Sequence, residues 1–257
     1  MENIILTTFN DAVHKVTISD DGSYTAYSKE YDEHYHSTKD GALNESLTKH
    51  VIPTFKLKQN LHEIKILDIC FGLGFNTLAT LYYRKLHNID TKLYIYSPEL
   101  DAKLIESLKN FPYPQEFDEF KKIIDSLVDK NIYEDENTYI ELYVGDAREY
   151  IKNMQGFDIV YQDAFSPSSN PMLWTKEYFG DIASLMKQDG VLSTYSIALK
   201  TRLALHENDF NVYINSGEDI RDATLASLSE VVTLKKVDIL HKISCNPQVT
   251  SLRDADI

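Results

Sequence analysis

The stretch Lys65-Ile-Leu-Asp-Ile-Cys-Phe-Gly-Leu-Gly-Phe-Asn-Thr-Leu-Ala79 constrains the fold most, because an apolar run holding an acid turns through two glycines into a second apolar run. It predicts a buried strand ending at Asp68, a tight turn at Gly72 and Gly74, and a helix beyond them. Glycine lets the backbone pass close to a ligand, and the opening turn of a helix presents N–H groups with no partner of their own. The segment therefore reads as a nucleotide-cofactor turn. The third glycine of the dinucleotide fingerprint would fall at Thr77, so a pyrophosphate packed on this helix is disfavoured. No Gly-Lys-Ser/Thr follows, which excludes the phosphate-cradling loop of nucleoside triphosphatases.

Two more acids stand at predicted strand ends. Lys92-Leu-Tyr-Ile-Tyr-Ser-Pro-Glu99 is a second apolar strand, one βαβ unit downstream of Asp68, and a carboxylate there can accept both hydroxyls of a ribose. Tyr139-Ile-Glu-Leu-Tyr-Val-Gly-Asp146-Ala147 is a third, closing on Gly-Asp. Each acid could instead cap the helix that follows, because Asp is a favoured cap and Glu suits the positive end of the helix dipole. The glycine turn resembles the first motif of S-adenosyl-L-methionine (AdoMet)-dependent methyltransferases, whose cofactor has no phosphate. That resemblance makes Glu99 the expected ribose anchor and Asp146 the expected adenine contact.

Composition fits one globular α/β domain: 257 residues, 43% hydrophobic and 26% charged. The start Met1-Glu-Asn-Ile-Ile-Leu-Thr-Thr lacks the basic, then apolar, pattern of a secretory leader, and no apolar segment reaches membrane-spanning length, so a cytoplasmic location is expected. Cys70 and Cys245 are too few for a disulfide framework or a thiolate metal site. A net charge of −14 argues against a general nucleic-acid binder, which needs Lys and Arg to replace counterions. Acids crowd into 115–120 and 132–137, whereas Lys49, Lys56, Lys58, Lys65, Lys200, Arg202, Arg221, Lys235, Lys236 and Lys242 lie outside them. These form either a local basic face or an ordinary solvated surface.

Four zones follow along the chain. Ile4 to Tyr27 alternates apolar and polar residues about Ser19-Asp-Asp-Gly-Ser23, predicting an N-terminal hairpin. Tyr31 to Leu57 carries a helical pattern through Ala42, Leu43, Ser46, Leu47 and Val51, expected to end near Pro53 and to lie on the core as a lid or brace. Ile64 to about Ser196 alternates strands and helices, the pattern of a mostly parallel, doubly wound sheet. Beyond Asn208, closing antiparallel strands are expected. The boundaries are then 1–60 for the hairpin and helical lid, 61–243 for the cofactor-binding domain, and 244–257 for a tail without a clear reading.

The strongest motif is Phe157-Asp-Ile-Val-Tyr-Gln-Asp163-Ala-Phe165-Ser-Pro167-Ser-Ser-Asn170-Pro-Met-Leu-Trp174-Thr. A strand ends in Asp163, and a loop stiffened by two prolines lies at the carboxyl edge of the sheet. Here the chain resembles the methyltransferase half of the MnmC family, bacterial tRNA enzymes that complete 5-methylaminomethyl-2-thiouridine at the wobble position. Their Asp-Gly/Ala-Phe-Ser/Ala-Pro segment leads to Asn-Pro and then Trp-Thr/Ser. This chain matches, with Ser169 where lysine is common. Asp21-Gly22-Ser23-Tyr-Thr25, His34-Tyr35-His36-Ser37, Gly41-Ala42 and Glu45-Ser46 resemble the family's N-terminal signature. Phe71-Gly72-Leu73-Gly74-Phe75-Asn76 resembles its cofactor turn, with Leu73 where threonine is usual. Gly190 to Ser196, then Lys200 and Arg202, resemble the next strand and its continuation, so the likeness runs from about Asp21 to Leu225.

The resemblance implies a Rossmann-like class I AdoMet-dependent methyltransferase fold, AdoMet as cofactor and the tRNA anticodon stem-loop as partner. It implies a cofactor site at Phe71, Gly72, Leu73, Gly74, Glu99 and Leu100, continued by Asp146, Ala147 and Asp163. Tyr35, His36, Ser37 and a bracing Glu45 would cover cofactor or substrate, with Phe165, Pro167, Asn170 and Trp174 on the acceptor side. The reaction implied is N-methylation of the aminomethyl group of wobble uridine. Asp163 would orient the acceptor amine or take its proton. Phe165 and Trp174 would stack on a base, although core packing is the simpler reading for a single Trp. Bifunctional members add a flavin-dependent oxidase domain, which this chain is too short to hold, so no flavin is expected.

His34 and His36 would share one strand face, but no third ligand follows at recognisable spacing and no metal is expected. Two other classes stay open at this point: a methyltransferase or aminopropyltransferase with a small acceptor, and a non-catalytic AdoMet-binding protein.

Overall fold

A computed structural model describes residues 9, 13–58, 60–217 and 220–257. The N-terminal strands are β1 (His14–Ile18), β2 (Tyr24–Ser28) and β3 (Glu33–His34), followed by helix α1 (Ala42–Glu45), a π-helical turn (Ser46–Val51) and α2 (Ile52–Lys58). The core then runs β4 (Glu63–Ile69), α3 (Phe75–Leu86), β5 (Lys92–Glu99), α4 (Ala102–Ser107), α5 (Lys121–Lys130), β6 (Ile132–Glu134) and β7 (Thr138–Val144). It continues with α6 (Ala147–Ile151), β8 (Phe157–Gln162), α7 (Lys176–Leu185), β9 (Met186–Thr194) and α8 (Leu199–His206). The chain finishes with β10 (Asn211–Gly217), β11 (Ile220–Ser227), β12 (Lys235–Lys236) and α9 (Ile239–Cys245).

Among the described residues the large sheet has nine strands in the order β12-β10-β11-β9-β8-β4-β5-β7-β6. The five central strands, β9 through β7, pair in parallel, and both edges are antiparallel. This bears out the mostly parallel Rossmann-like α/β sheet with an N-terminal hairpin. Residues 4–8 and 10–12 of the expected hairpin zone lie outside the described residues, and β1 and β2 pair from His14↔Ser28 to Ile18↔Tyr24.

Strand periodicity explains why β4 sits at the centre. Ile64 and Ile66 face one apolar layer with Phe55, Phe75, Leu78 and Leu127, whereas Leu67 and Ile69 face the other with Val160, Phe179, Ile182 and Leu203. A strand covered on both faces has no room for alternation, hence the near-continuous apolar run. Because β5 lies on one side of β4 and β8 on the other, the chain reverses winding direction there. The carboxyl ends of β4, β5, β7 and β8 consequently surround one crevice.

One expectation fails. The helix does not stop at Pro53 but continues to Lys58. Pro53 is the second residue of α2 in a helix already running through the π-helical turn: the Ile52 N–H reaches back five residues to the Leu47 carbonyl, and the Thr48 carbonyl, which Pro53 has no N–H to serve, takes the Asn215 side-chain amide at 3.0 Å instead. No helix among the described residues is long and apolar enough to cross a membrane.

Candidate active site

The turn after β4 is built by backbone as much as by side chains. Cys70 has φ 65°, Gly72 54° and Gly74 77°, the left-handed region that costs a non-glycine residue about 1–2 kcal/mol. A Cβ on Gly72 would lie 3.2 Å from the Tyr35 ring, so Tyr35 closes directly over the turn. A Cβ on Gly74 would meet the Phe71 ring at 2.8 Å. Gly74 thus shapes the turn from behind Phe71 and does not line the pocket, unlike Phe71, Gly72 and Leu73.

Glu99, at the end of β5, accepts the Gly72 N–H at 2.8 Å through Oε2 and the Asp101 N–H at 2.9 Å through Oε1. Burial raises its pKa, and these amides pull it back. The Leu100 amide also acts on this carboxylate, which still borders the pocket with acceptor capacity to spare. Leu100 is 63% exposed at the rim, an apolar surface with nothing packed over it. Asp146 proves to be a helix cap, accepting the Glu149 N–H at 3.0 Å through Oδ1, and it also lines the pocket with Ala147. The capping role is thus present, and the same side chain still borders the pocket.

At the end of β8, Asp163 is held from two sides. Asn76 Nδ2, on α3, donates to its Oδ2 at 2.8 Å, and His50 Nε2 lies 3.3 Å from Oδ1. The His50 ring is fully buried, and its Nδ1 meets Ser193 Oγ at 2.9 Å. The Nε2 contact is close but poorly aligned, an electrostatic pairing more than a hydrogen bond. Burial pushes the Asp163 pKa up, yet His50, His36 and the Asn76 amide together outweigh it and hold the carboxyl well below its usual range.

Beneath this pair Asp68 is fully buried, with Thr77 Oγ1 donating to Oδ2 at 2.8 Å and Oδ1 without a hydrogen-bond partner. Burial pushes its pKa up to about 7 from 3.8, aided by the Asp163 charge and opposed by Thr77, His50 and Asn76. Between those values the folded chain holds a proton that the unfolded chain has lost, so Asp68 lowers stability as pH rises through that window. Asp68→Asn should remove this slope, and its unfolding free energy relative to the parent should grow by roughly 1 kcal/mol per pH unit in denaturant titrations. A pH-independent difference would show that Asp68 is already charged.

The cover comes from the N-terminal segment. Ser37 N–H donates to Glu45 Oε2 at 2.6 Å, and Lys49 ties Glu45 Oε1 at 2.5 Å. His36 packs edge-on against Phe75 with centroids 4.8 Å apart, and burial lowers its pKa. Tyr31 stacks on Phe165 at 4.6 Å, and Tyr35 approaches the same ring at 4.9 Å. Glu33 takes the Ser166 N–H at 3.0 Å and the Ser169 hydroxyl at 2.6 Å, binding β3 to the loop after Asp163. The residue where lysine is common thus serves as a loop clamp. Asn170 faces the pocket, whereas Pro167 and Trp174 do not.

Trp174 overturns the stacking expectation. It is 1% exposed, its indole N–H donates to the Phe165 carbonyl at 2.7 Å, and its ring meets Tyr195 and Phe179 edge-on. It fastens the loop from inside and cannot reach a base. Four of the ten basic residues do not stand together on one face. Lys58 and Lys65 bind Asp189 and the Gln155 carbonyl near the amino ends of β9 and β4, while Lys49 is buried and Arg221 stands at the pocket mouth. His34 packs on Tyr27 at 5.1 Å and His36 turns inward, so the two do not converge, and no metal-binding group of three or more His, Cys, Asp or Glu occurs among the described residues.

The cavity these groups enclose has a volume of about 1000 Å³ and is lined by both the glycine turn and Asp163. Its donor set suits a nucleoside with a charged amino-acid end: free carboxylate lone pairs at Glu99, an apolar edge at Leu100 and Ala147, and open backbone at the turn. Sequence reasoning missed His50, Glu33 and Ser193. His50 and Ser193 are 143 residues apart, and no periodicity signals a buried polar pair of that separation.

Residues 115–229 match the model of a family described as S-adenosyl-L-methionine-dependent methyltransferase. The crystal structure of MnmC2 from Aquifex aeolicus superposes with a TM-score of 0.84 at 31% identity, covering 95% of this chain and 80% of that one. An uncharacterized protein of Methanocaldococcus jannaschii is 34% identical over 200 residues, 77% of this chain and 54% of that protein. The tRNA 5-methylaminomethyl-2-thiouridine biosynthesis bifunctional protein MnmC of an Azoarcus species is 28% identical over 211 residues, 77% of this chain and 32% of that protein. The chain spans about half the length of the first of these curated relatives and about a third of the second. The segment matched by the family model carries Asp146 and Asp163, and the likeness to MnmC2 extends over most of both chains. The chain belongs to the MnmC-type family of S-adenosyl-L-methionine-dependent methyltransferases.

Proposed function

We propose that the chain methylates the exocyclic amine of 5-aminomethyluridine, or its 2-thio form, at the wobble position of a tRNA anticodon stem-loop. The observation that carries this reading is a half-buried, charge-stabilised Asp163 at a strand end, sharing one pocket with the glycine turn and Glu99. Above it lies a loop of the sequence found in enzymes that make this nucleoside. The curated relatives named for 5-methylaminomethyl-2-thiouridine biosynthesis support it.

Bound AdoMet supplies an electrophilic methyl group. Glu99 would hold the ribose hydroxyls, Leu100 and Ala147 would flank the adenine, Asp146 would border its edge, and the Phe71–Leu73 backbone would face the amino-acid end. A primary amine is mostly protonated near neutral pH and cannot attack until a lone pair is free. Asp163 accepts the amine's hydrogen bond and aims that lone pair into the pocket. So acidic a carboxyl is a weak base, and its chief contribution is position and charge.

Replacing Glu99 by alanine should weaken AdoMet binding about 100-fold in calorimetry, the loss of one or two hydrogen bonds to a charged group. Unchanged affinity would remove Glu99 from the cofactor site. For the reaction itself, the purified chain and methyl-labelled AdoMet are incubated with tRNA from cells unable to complete the wobble side chain. Label in tRNA is expected. Label only in added polyamines would transfer the reading to a small acceptor.

A further inference from the structure

His50 is fully buried, absent from the pocket wall and outside every motif legible in the sequence. Its placement is nonetheless specific. The π-helical turn Ser46–Val51 widens the helix at this residue, and such turns are frequent at functional sites. Tyr161 packs edge-on against the ring at 5.6 Å, Ser193 Oγ meets Nδ1 at 2.9 Å, and Nε2 lies 3.3 Å from Asp163 Oδ1. A core histidine without a role would point Nε2 at a backbone carbonyl or an apolar wall. Here it lies 3.3 Å from the carboxylate that the reading above sets before the acceptor, near enough for charge to act although the alignment is not that of a hydrogen bond.

We propose that His50 is a positioning residue for methyl transfer, which, held by Ser193, fixes the direction and the charge of the Asp163 carboxylate. The inference rests on the acceptor-side reading of Asp163 given above. His50 closes a chain from Ser193 on β9 through Asp163 to Asn76 on α3, so that both carboxylate oxygens are constrained from opposite sides. The acidity of Asp163 agrees, with His50 the foremost group opposing burial. The other titratable groups acting on or near Asp163 are His36, Asp68, Cys70 and Tyr195. His36 also lowers the Asp163 pKa, so removing His50 should weaken the hold without abolishing it.

The test uses His50→Gln, which replaces the imidazole with a neutral amide of similar reach, with Ser193→Ala as a milder variant and circular dichroism to verify folding. The first readout needs no substrate: the pH midpoint of the Asp163 carboxyl carbon in 13C NMR. It should move upward in His50→Gln and to a lesser extent in Ser193→Ala. The second is kcat and the pH profile of kcat/KM on an anticodon stem-loop RNA carrying 5-aminomethyluridine. kcat should fall about 100-fold, as for a misplaced catalytic group, and the acid limb should move to higher pH because a less acidic Asp163 is protonated sooner. AdoMet affinity should change less than threefold, about 0.6 kcal/mol. An unmoved Asp163 midpoint in folded His50→Gln overturns the proposal, and so does a moved midpoint with unaltered kcat. If the parent chain leaves the stem-loop untouched while the midpoint still moves, the substrate reading fails and the His50–Asp163 coupling stands.

Discussion

Asp163→Ala is expected to reduce methyl transfer by about 10²–10⁴-fold, the range for losing a positioned hydrogen-bond acceptor or base, while AdoMet binding stays close to the parent value. The separation follows from geometry. The end of the pocket proposed for the cofactor is organised by the glycine turn, Glu99 and the Asp146–Ala147 corner, whereas Asp163 is gripped by Asn76 and His50 on the other side. The variant leaves His50 buried without its charged partner, so folding must be verified before rates are compared. Asp163→Asn, which keeps the shape, should be nearly as slow. Near-normal turnover in either variant would remove Asp163 from the reaction, and an equal loss of AdoMet affinity would move it to the cofactor site.

Trp174→Ala should be the most damaging substitution for stability near the site, costing about 3–5 kcal/mol, as large aromatic truncations in a core do. The 1%-exposed indole fills the space between Phe179 and Tyr195, and its N–H satisfies the Phe165 carbonyl at 2.7 Å. Trp174→Phe keeps much of the volume but leaves that carbonyl without its donor, at about 1–3 kcal/mol. Urea unfolding of both variants measures this order. A Trp174→Ala protein of parental stability with weakened RNA binding would restore the base-stacking role that its burial contradicts.

What the sequence made legible, and what it hid, divides along one physical line. Strand ends announce themselves: an apolar run, then an acid at its end sufficed to mark Glu99, Asp146 and Asp163, which the sheet order gathers around one crevice, while Asp68, one residue inside β4, is buried away from it. The helix of residues 42–58 was legible as an amphipathic face through Ala42, Leu47 and Val51. Its widened turn was not, because a π-helical insertion has no compositional signature, and with it went His50 and the continuation past Pro53. Glu33 was hidden for a different reason. Its partners Ser166 and Ser169 belong to a loop more than 130 residues away, joined only when β3 folds over the sheet edge. For Trp174 the sequence offered two roles for one aromatic, and only burial separates a side chain that supports a loop from one that reads a base.

Two short anticodon stem-loops, identical except for uridine or 5-aminomethyluridine at the wobble position, permit the most direct measurement. Each is incubated with AdoMet and either the parent chain or Asp163→Asn, digested to nucleosides and analysed by mass spectrometry. The account predicts AdoMet-dependent conversion of 5-aminomethyluridine to 5-methylaminomethyluridine by the parent chain, little by the variant, and no methylation of the unmodified loop. A methyl group on any other nucleoside, or an untouched aminomethyl group beside a chain that binds AdoMet, would contradict it.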